Sequence, residues 1–181
     1  MWCLFDWANS PYPTVILTFV FSAYFTELVA ENKLLGTLLW SQTVAFSGLF
    51  VALMAPILGA ISDESGQKKT WILIFSLIAI LGTLSLWFVS PDKHSVPLAL
   101  TAIAISLISF EFCSIFYNAT LIQVASHNSI GKISGLGWAT GYLGAILCLL
   151  FCLLGLVEEK LSFLGLDIGQ AEHIRATAVV V

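Results

Sequence analysis

The chain has 181 residues, of which 59% are hydrophobic and only 10% charged, with a mean hydropathy of +0.96. Soluble domains carry about 25% charged and about 45–50% apolar residues, and a fold of this size has too little interior to hide the excess. The composition therefore excludes a soluble globule, and its 13 Phe, 6 Trp and 4 Tyr exclude a disordered chain, so lipid is the solvent that fits. A net charge of −4 offers no basic patch, and no nucleic-acid partner is expected.

In chain order, charges punctuate long uncharged runs. Trp7–Thr26 spans 20 residues and opens on the turn-like Asn9-Ser10-Pro11. Asp6, Asn9, Pro11 and Pro13 interrupt it and no basic residue precedes it, which argues against a secretory signal. Leu34–Ser62, Thr70–Pro91 and Ile133–Val157 follow with 29, 22 and 25 uncharged residues. A helix needs about 20 residues to cross a hydrocarbon core of about 30 Å, and all four runs qualify. Val96–Ser126 is equally long but holds one acid, Glu111, near its middle. The run from His173 to Val181 reads as the start of a sixth helix cut in mid-course. The predicted helices cover about 8–29, 37–62, 70–90, 96–124, 133–157 and 173–181. Their short connectors force antiparallel neighbours.

No period-two pattern occurs, and backbone satisfaction in lipid leaves only helices or closed barrels. The expected fold class is all-α, a multi-pass membrane helix bundle in a single transmembrane domain, with the bilayer as its first partner. The positive-inside count is close to a tie, Lys68, Lys69 and Lys132 against Lys33, Lys93, Lys160 and Arg175.

Cys3, Cys113, Cys148 and Cys152 sit in or beside apolar runs and read as small apolar side chains. His94, His127 and His173 stand at span ends, too scattered for a ligand set. No nucleotide loop, zinc signature or nucleophile arrangement is present, so no metal, no cofactor and no enzymatic activity are expected.

Glu111 is the sharpest candidate. An ionisable group at membrane depth costs several kcal/mol unless it is paired, hydrated or protonated, which suits a site that binds and releases a proton or a solute. Asn118, seven residues on, shares its face, and Gln123 is a more distant polar neighbour. The alternative is a structural hydrogen bond to a neighbouring helix. Asp6 and Asn9, three apart at the start of the first helix, offer polar groups to the same cavity. Asp6 also fits as an interfacial charge favoured by the helix dipole. In the fifth helix Gly137, Gly141 and Gly144 form a small-residue stripe for close helix packing.

Between the second and third helices runs Gly59-Ala60-Ile61-Ser62-Asp63-Glu64-Ser65-Gly66-Gln67-Lys68-Lys69. It resembles the cytoplasmic loop signature of the major facilitator superfamily, with Glu64 and Gln67 standing where basic residues are usual. The alternative is a plain polar turn with lysines at an anionic leaflet. The opening Trp2-Cys3-Leu4-Phe5-Asp6-Trp7-Ala8-Asn9-Ser10-Pro11-Tyr12, Tyr117-Asn118-Ala119 and the segment Ser134–Gly144 are similar to one branch of that superfamily. That branch contains the autophagy-related vacuolar amino-acid effluxer and bacterial permeases.

The resemblance implies the N-terminal, incomplete six-helix half of a major-facilitator fold. It implies a proton-coupled secondary transporter of a small solute, amino acids among them, whose partner is the missing C-terminal half. Gly59, Asp63, Gly66, Lys68 and Lys69 would form the gating loop, placing the N-terminus in the cytoplasm and the protein in a bacterial inner membrane. The alternatives are an inactive half-transporter fragment and a non-transporting membrane protein that oligomerises through its glycine-rich helix.

Overall fold

The structure, a computed structural model, describes residues 2–126, 129–158 and 165–181. His127 and Lys160 lie outside the described residues. Among the described residues five helices are long and apolar enough to cross a membrane: α1 (Trp2–Val29), α2 (Lys33–Ser65), α3 (Lys68–Phe88), α4 (Lys93–Val124) and α5 (Ile130–Val157). Two single turns follow, α6 (Glu172–Arg175) and α7 (Thr177–Val180). Among the described residues there is no strand, and the fold is an all-α membrane helix bundle.

α1 starts at Trp2, ahead of the Asn9-Ser10-Pro11 turn that the sequence suggests. The Trp2 and Phe5 rings stack on Tyr117 of α4, with centroids 4.3 and 4.5 Å away, and hold the first turns in place. Pro11 and Pro13 then fall where the helix re-forms with wider turns. Proline donates no backbone hydrogen bond, and the ladder shifts to five-residue spacing, as in Val20 N to Val15 O at 2.9 Å. A second widened turn closes α1, with Ala30 N donating to Phe25 O at 2.9 Å.

Asn32 caps α2, its side-chain oxygen accepting from Leu35 N at 2.9 Å. α2 ends at Gly66, whose φ of 65° is a left-handed conformation that glycine adopts without a Cβ clash. α2 and α3 are the outer helices. Their most apolar stretches are 11% and 17% buried, against 44% for α1 and α4. Leu77 and Leu81 are among the side chains that α3 turns outward.

α4 is the central post. Phe112 and Phe116 pack on Val51 of α2 and on Trp71 and Phe75 of α3. At Gly82 of α3 an added Cβ would meet Ser106 of α4 at 3.0–3.2 Å, so the two helices nearly touch there. Along its other side α4 meets α1 in a polar ladder: Trp2 Nε1 donates to Thr120 Oγ1 at 3.2 Å, Asn9 Nδ2 to Ser114 Oγ at 3.4 Å, and Tyr12 and Ser106 share a buried bond of 2.6 Å.

α5 closes on α1 through its glycines. A Cβ added at Gly137 would lie 2.7 Å from the Trp2 ring and 2.8 Å from Asp6 Oδ2. At Gly141 it would meet Ser10 Oγ at 2.5 Å, and at Gly144 the Trp7 carbonyl at 2.6 Å. Bundle helices in lipid gain from van der Waals contact rather than from a hydrophobic drive, so small residues decide where two backbones meet. At the opposite end Arg175 donates to Trp87 O at 2.9 Å and lies over the Trp87 ring, while Tyr24 donates to Val89 O at 2.7 Å.

Gly144→Leu is expected to destabilise the purified protein by about 1–3 kcal/mol, the usual cost of overpacking. Gly135→Leu, one helix face away with nothing within 4 Å of its Cβ position, is expected to change stability by less than about 0.5 kcal/mol. Thermal unfolding in detergent measures both.

Candidate functional site

A cavity of about 370 Å³ lies where α1, α4 and α5 converge. Asp6, Asn9, Ser10, Pro13 and Thr14 line it from α1, and Phe110, Glu111, Ser114, Tyr117 and Asn118 from α4. Trp138, Tyr142 and Ala145 complete it from α5. The helical period explains the lining: Asp6, Ser10 and Thr14 recur every four residues, while Glu111, Ser114 and Asn118 follow the three-then-four spacing of one face. Trp138 and Tyr142 flank the glycine stripe, and their rings pair at 5.8 Å over the cavity.

Glu111, Asn118, Asp6 and Asn9, four residues distant in sequence, thus surround one space. Gln123 does not line it. Asn9 is steadied by its bond to Ser114, and Tyr117 by donation to Trp2 O at 2.9 Å between the Trp2 and Phe5 rings. Thr140 of α5 donates to Cys3 O at 3.0 Å and ties the third wall to the first.

The carboxylates of Asp6 and Glu111 are half-buried and make no hydrogen bond or ion pair with the described residues. No Lys, Arg or His among the described residues lines the cavity. A charge at membrane depth without a protein partner needs water, a proton or a bound cation, and the cavity has room for any of them.

The residues that the sequence pattern does not single out are Ser10, Thr14, Ser114, Tyr117, Trp138 and Tyr142. For the hydroxyl groups the signal is present in their spacing from Asp6 and Glu111. The aromatic wall carries none, because only the α1–α5 seam turns Trp138 and Tyr142 toward the acids.

A second, mostly apolar cavity of about 450 Å³ backs onto the first across Asn9 and Phe110, between α1, α3 and α7. Below the first cavity lies the α2–α3 loop. Lys68 Nζ pairs with Asp63 Oδ1 at 2.8 Å and donates to Ala119 O at 3.5 Å, two residues past Tyr117. Asp63 is 68% exposed and Lys68 13% exposed, so the lysine is the anchored partner. Gly59 meets nothing within 4 Å and leaves a small open surface, and Lys69 is exposed. Cys148 and Cys152 are free thiols, and among the described residues no group of three His, Cys, Asp or Glu side chains is placed to hold a metal ion.

A polytopic helix bundle with a polar cavity between its first, fourth and fifth spans is the class of protein these features define, a membrane bundle of major-facilitator type. Residues 39–131 match the family described as vacuole effluxer Atg22 like, and the chain belongs to that family. It is 28% identical over 176 residues to YxiO of Bacillus subtilis (strain 168), an uncharacterized MFS-type transporter, covering 96% of this chain and 41% of that protein. It is also 28% identical over 140 residues to an uncharacterized protein of Aquifex aeolicus (strain VF5), covering 76% of this chain and 34% of that protein. The chain therefore spans about two fifths of YxiO's length. No solved structure matches it.

The cavity predicts a labelling pattern. With the native cysteines replaced, Asn118→Cys is expected to react with a membrane-impermeant thiol reagent. Ser106→Cys, at a position that is fully buried, is expected to stay unmodified. Mass spectrometry of the labelled protein checks both.

Proposed function

We propose that the chain forms the N-terminal half of a secondary active transporter, a proton-coupled permease that moves a small solute across a membrane by alternating access. The observation that carries this reading is Glu111, a carboxylate without a protein partner among the described residues, in a cavity shared with Asp6, Asn9 and Asn118. Such a group is stable while water fills the cavity. Closing the cavity over a bare charge costs several kcal/mol, so closure is permitted when a proton or a solute neutralises it. That condition is the physical content of coupling, because the bundle moves only when occupied.

α1, α4 and α5 supply one wall of the solute path, and a C-terminal half is the partner that supplies the other. Asp63 and Gly59 face that half in this scheme. Asp63 exchanges its bond to Lys68 for a helix end across the gate, while Lys68 stays on the end of α4 beside Tyr117 and Asn118. Gly66 provides the turn before Lys68 and Lys69; the loop's resemblance favours the cytoplasmic face for it and for the N-terminus, and the bacterial relatives favour a bacterial inner membrane. Amino acids are the solute class that the family resemblance brings to this site. Oligomerisation through the glycine-rich helix is disfavoured, since α1 already occupies the face of Gly137, Gly141 and Gly144. No catalytic step is part of this scheme.

Glu111→Gln in the complete protein is expected to abolish uphill transport while leaving expression normal. Reconstituted vesicles with unchanged proton dependence would contradict the role given to Glu111. Asp63→Asn is expected to shift the balance between inward- and outward-open forms and to slow turnover. Identical cysteine accessibility at both faces, before and after that substitution, would remove the latch from the scheme.

A further inference from the structure

We infer that the cavity takes its solute by an ammonium group, and selects small organic cations over neutral and anionic molecules of the same shape. This rests on the cavity being the solute site, as proposed above, and adds the charge and chemical class of what enters it.

Three features of the lining carry the inference. Asp6 from α1 and Glu111 from α4 both line the space, and neither carboxylate is spent on a protein donor among the described residues. No Lys, Arg or His among the described residues lines the cavity to neutralise them. Lys68 is held by Asp63 and the Ala119 carbonyl, and Arg175, at the far end of the bundle, by Trp87 and Glu172. The electrostatic field inside the cavity is therefore negative, and in surroundings of low dielectric two carboxylates repel an anion far more strongly than they do in water.

The remaining wall is aromatic. Trp138 and Tyr142 from α5 and Phe110 from α4 bring ring surfaces to the same space as the acids. Ring faces attract a cation through their quadrupole and also accommodate the methylene or methyl groups around a nitrogen centre. A neutral solute gains only the second of these contacts. The Asn9 and Asn118 amides and the Ser10, Thr14 and Ser114 hydroxyls add polar contacts without adding positive charge. The part of the space that α1, α4 and α5 enclose is about 370 Å³, within the range of ligand sites of about 300–1,000 Å³. A compact amine fits that space. For an amino acid the α-ammonium would face this wall, and the α-carboxylate would have to find its counter-charge outside it.

Choline, its neutral isostere 3,3-dimethylbutan-1-ol and the anion 3,3-dimethylbutanoate differ in charge at nearly constant shape. Their binding to the complete protein, with its C-terminal half, is to be measured by equilibrium dialysis in dodecyl maltoside, which carries no charge of its own. Choline is expected to bind at least about tenfold more tightly than the alcohol, and the carboxylate not to bind, as cation–π attraction and charge pairing require. Asp6→Asn and Glu111→Gln, both close in shape to the native residues, should each weaken choline by about tenfold or more. Trp138→Phe should retain binding, while Trp138→Ala should lose several-fold.

Equal binding of choline and the alcohol, choline binding unchanged when both acids are replaced, or no binding of any probe would overturn the inference. If the alcohol binds as well as choline and both are lost with Trp138→Ala, the cavity remains a solute site and only its charge selection fails. If proton-coupled transport survives Glu111→Gln, the proposed function fails on its own ground.

Discussion

The close approach of α1 to α5 is the contact on which the rest of this bundle depends. Gly137, Gly141 and Gly144 leave no room for a side chain against Trp2, Asp6, Ser10 and Trp7, so the two helices meet along about two turns. That seam fixes the rotation of α1. With α1 so rotated, its Asp6–Ser10–Thr14 stripe faces α4 rather than lipid, and the α5 aromatics beside the glycines lean over the same space. A bulkier α5 would push α1 outward and open the lining to lipid, where unpaired carboxylates are not tolerated. Packing and chemistry are thus one problem here, because the smallest residues in the chain decide where its buried acids go.

α4 links that cavity to the loop at one end of the bundle. Its polar ladder to α1 runs from Ser106 to Thr120, and its last turns receive Lys68 from the start of α3. Lys68 in turn holds Asp63 at the end of α2. Four helices therefore share one small cluster, with the Tyr117 ring clamped between Trp2 and Phe5 only two residues from the Lys68 contact. Lys68 is the buried, anchored member of the pair and Asp63 the exposed one. Solvent reaches the carboxylate, so Asp63 is the partner free to change contacts in a working cycle while Lys68 stays on α4.

Much of the architecture is legible in the sequence, because lipid imposes a simple code. Charges end spans, and the helical period brings i, i+3, i+4 and i+7 together, so residue spacing by itself assigns Glu111 and Asn118 to one face. The small-residue stripe of α5 is visible for the same reason. What the sequence conceals depends on contacts between helices. The first turn of α1 is helical because Tyr117, more than a hundred residues later, receives Trp2 and Phe5. The widened turns after Pro13 and the aromatic wall at Trp138 and Tyr142 likewise arise from tertiary neighbours, not from local propensity. The partner of Lys68 at the end of α4 has no sequence signal at all, since a lysine in a polar loop reads as solvated.

The central claim is that water, not lipid, fills the space between α1, α4 and α5. Hydroxyl-radical footprinting of the protein in lipid nanodiscs tests it directly. Trp138 and Leu81 are 62% and 68% exposed, so geometry alone gives them similar access, and only the solvent each one meets should differ. The account predicts rapid oxidation of Trp138 and Tyr142 in the cavity, with Leu81 on the outer face of α3 protected after correction for intrinsic reactivity. Protection of Trp138 and Tyr142 to the same degree as Leu81 would mean that the acids face a dry or lipid-filled groove, and the cavity could not be a path for solutes or protons.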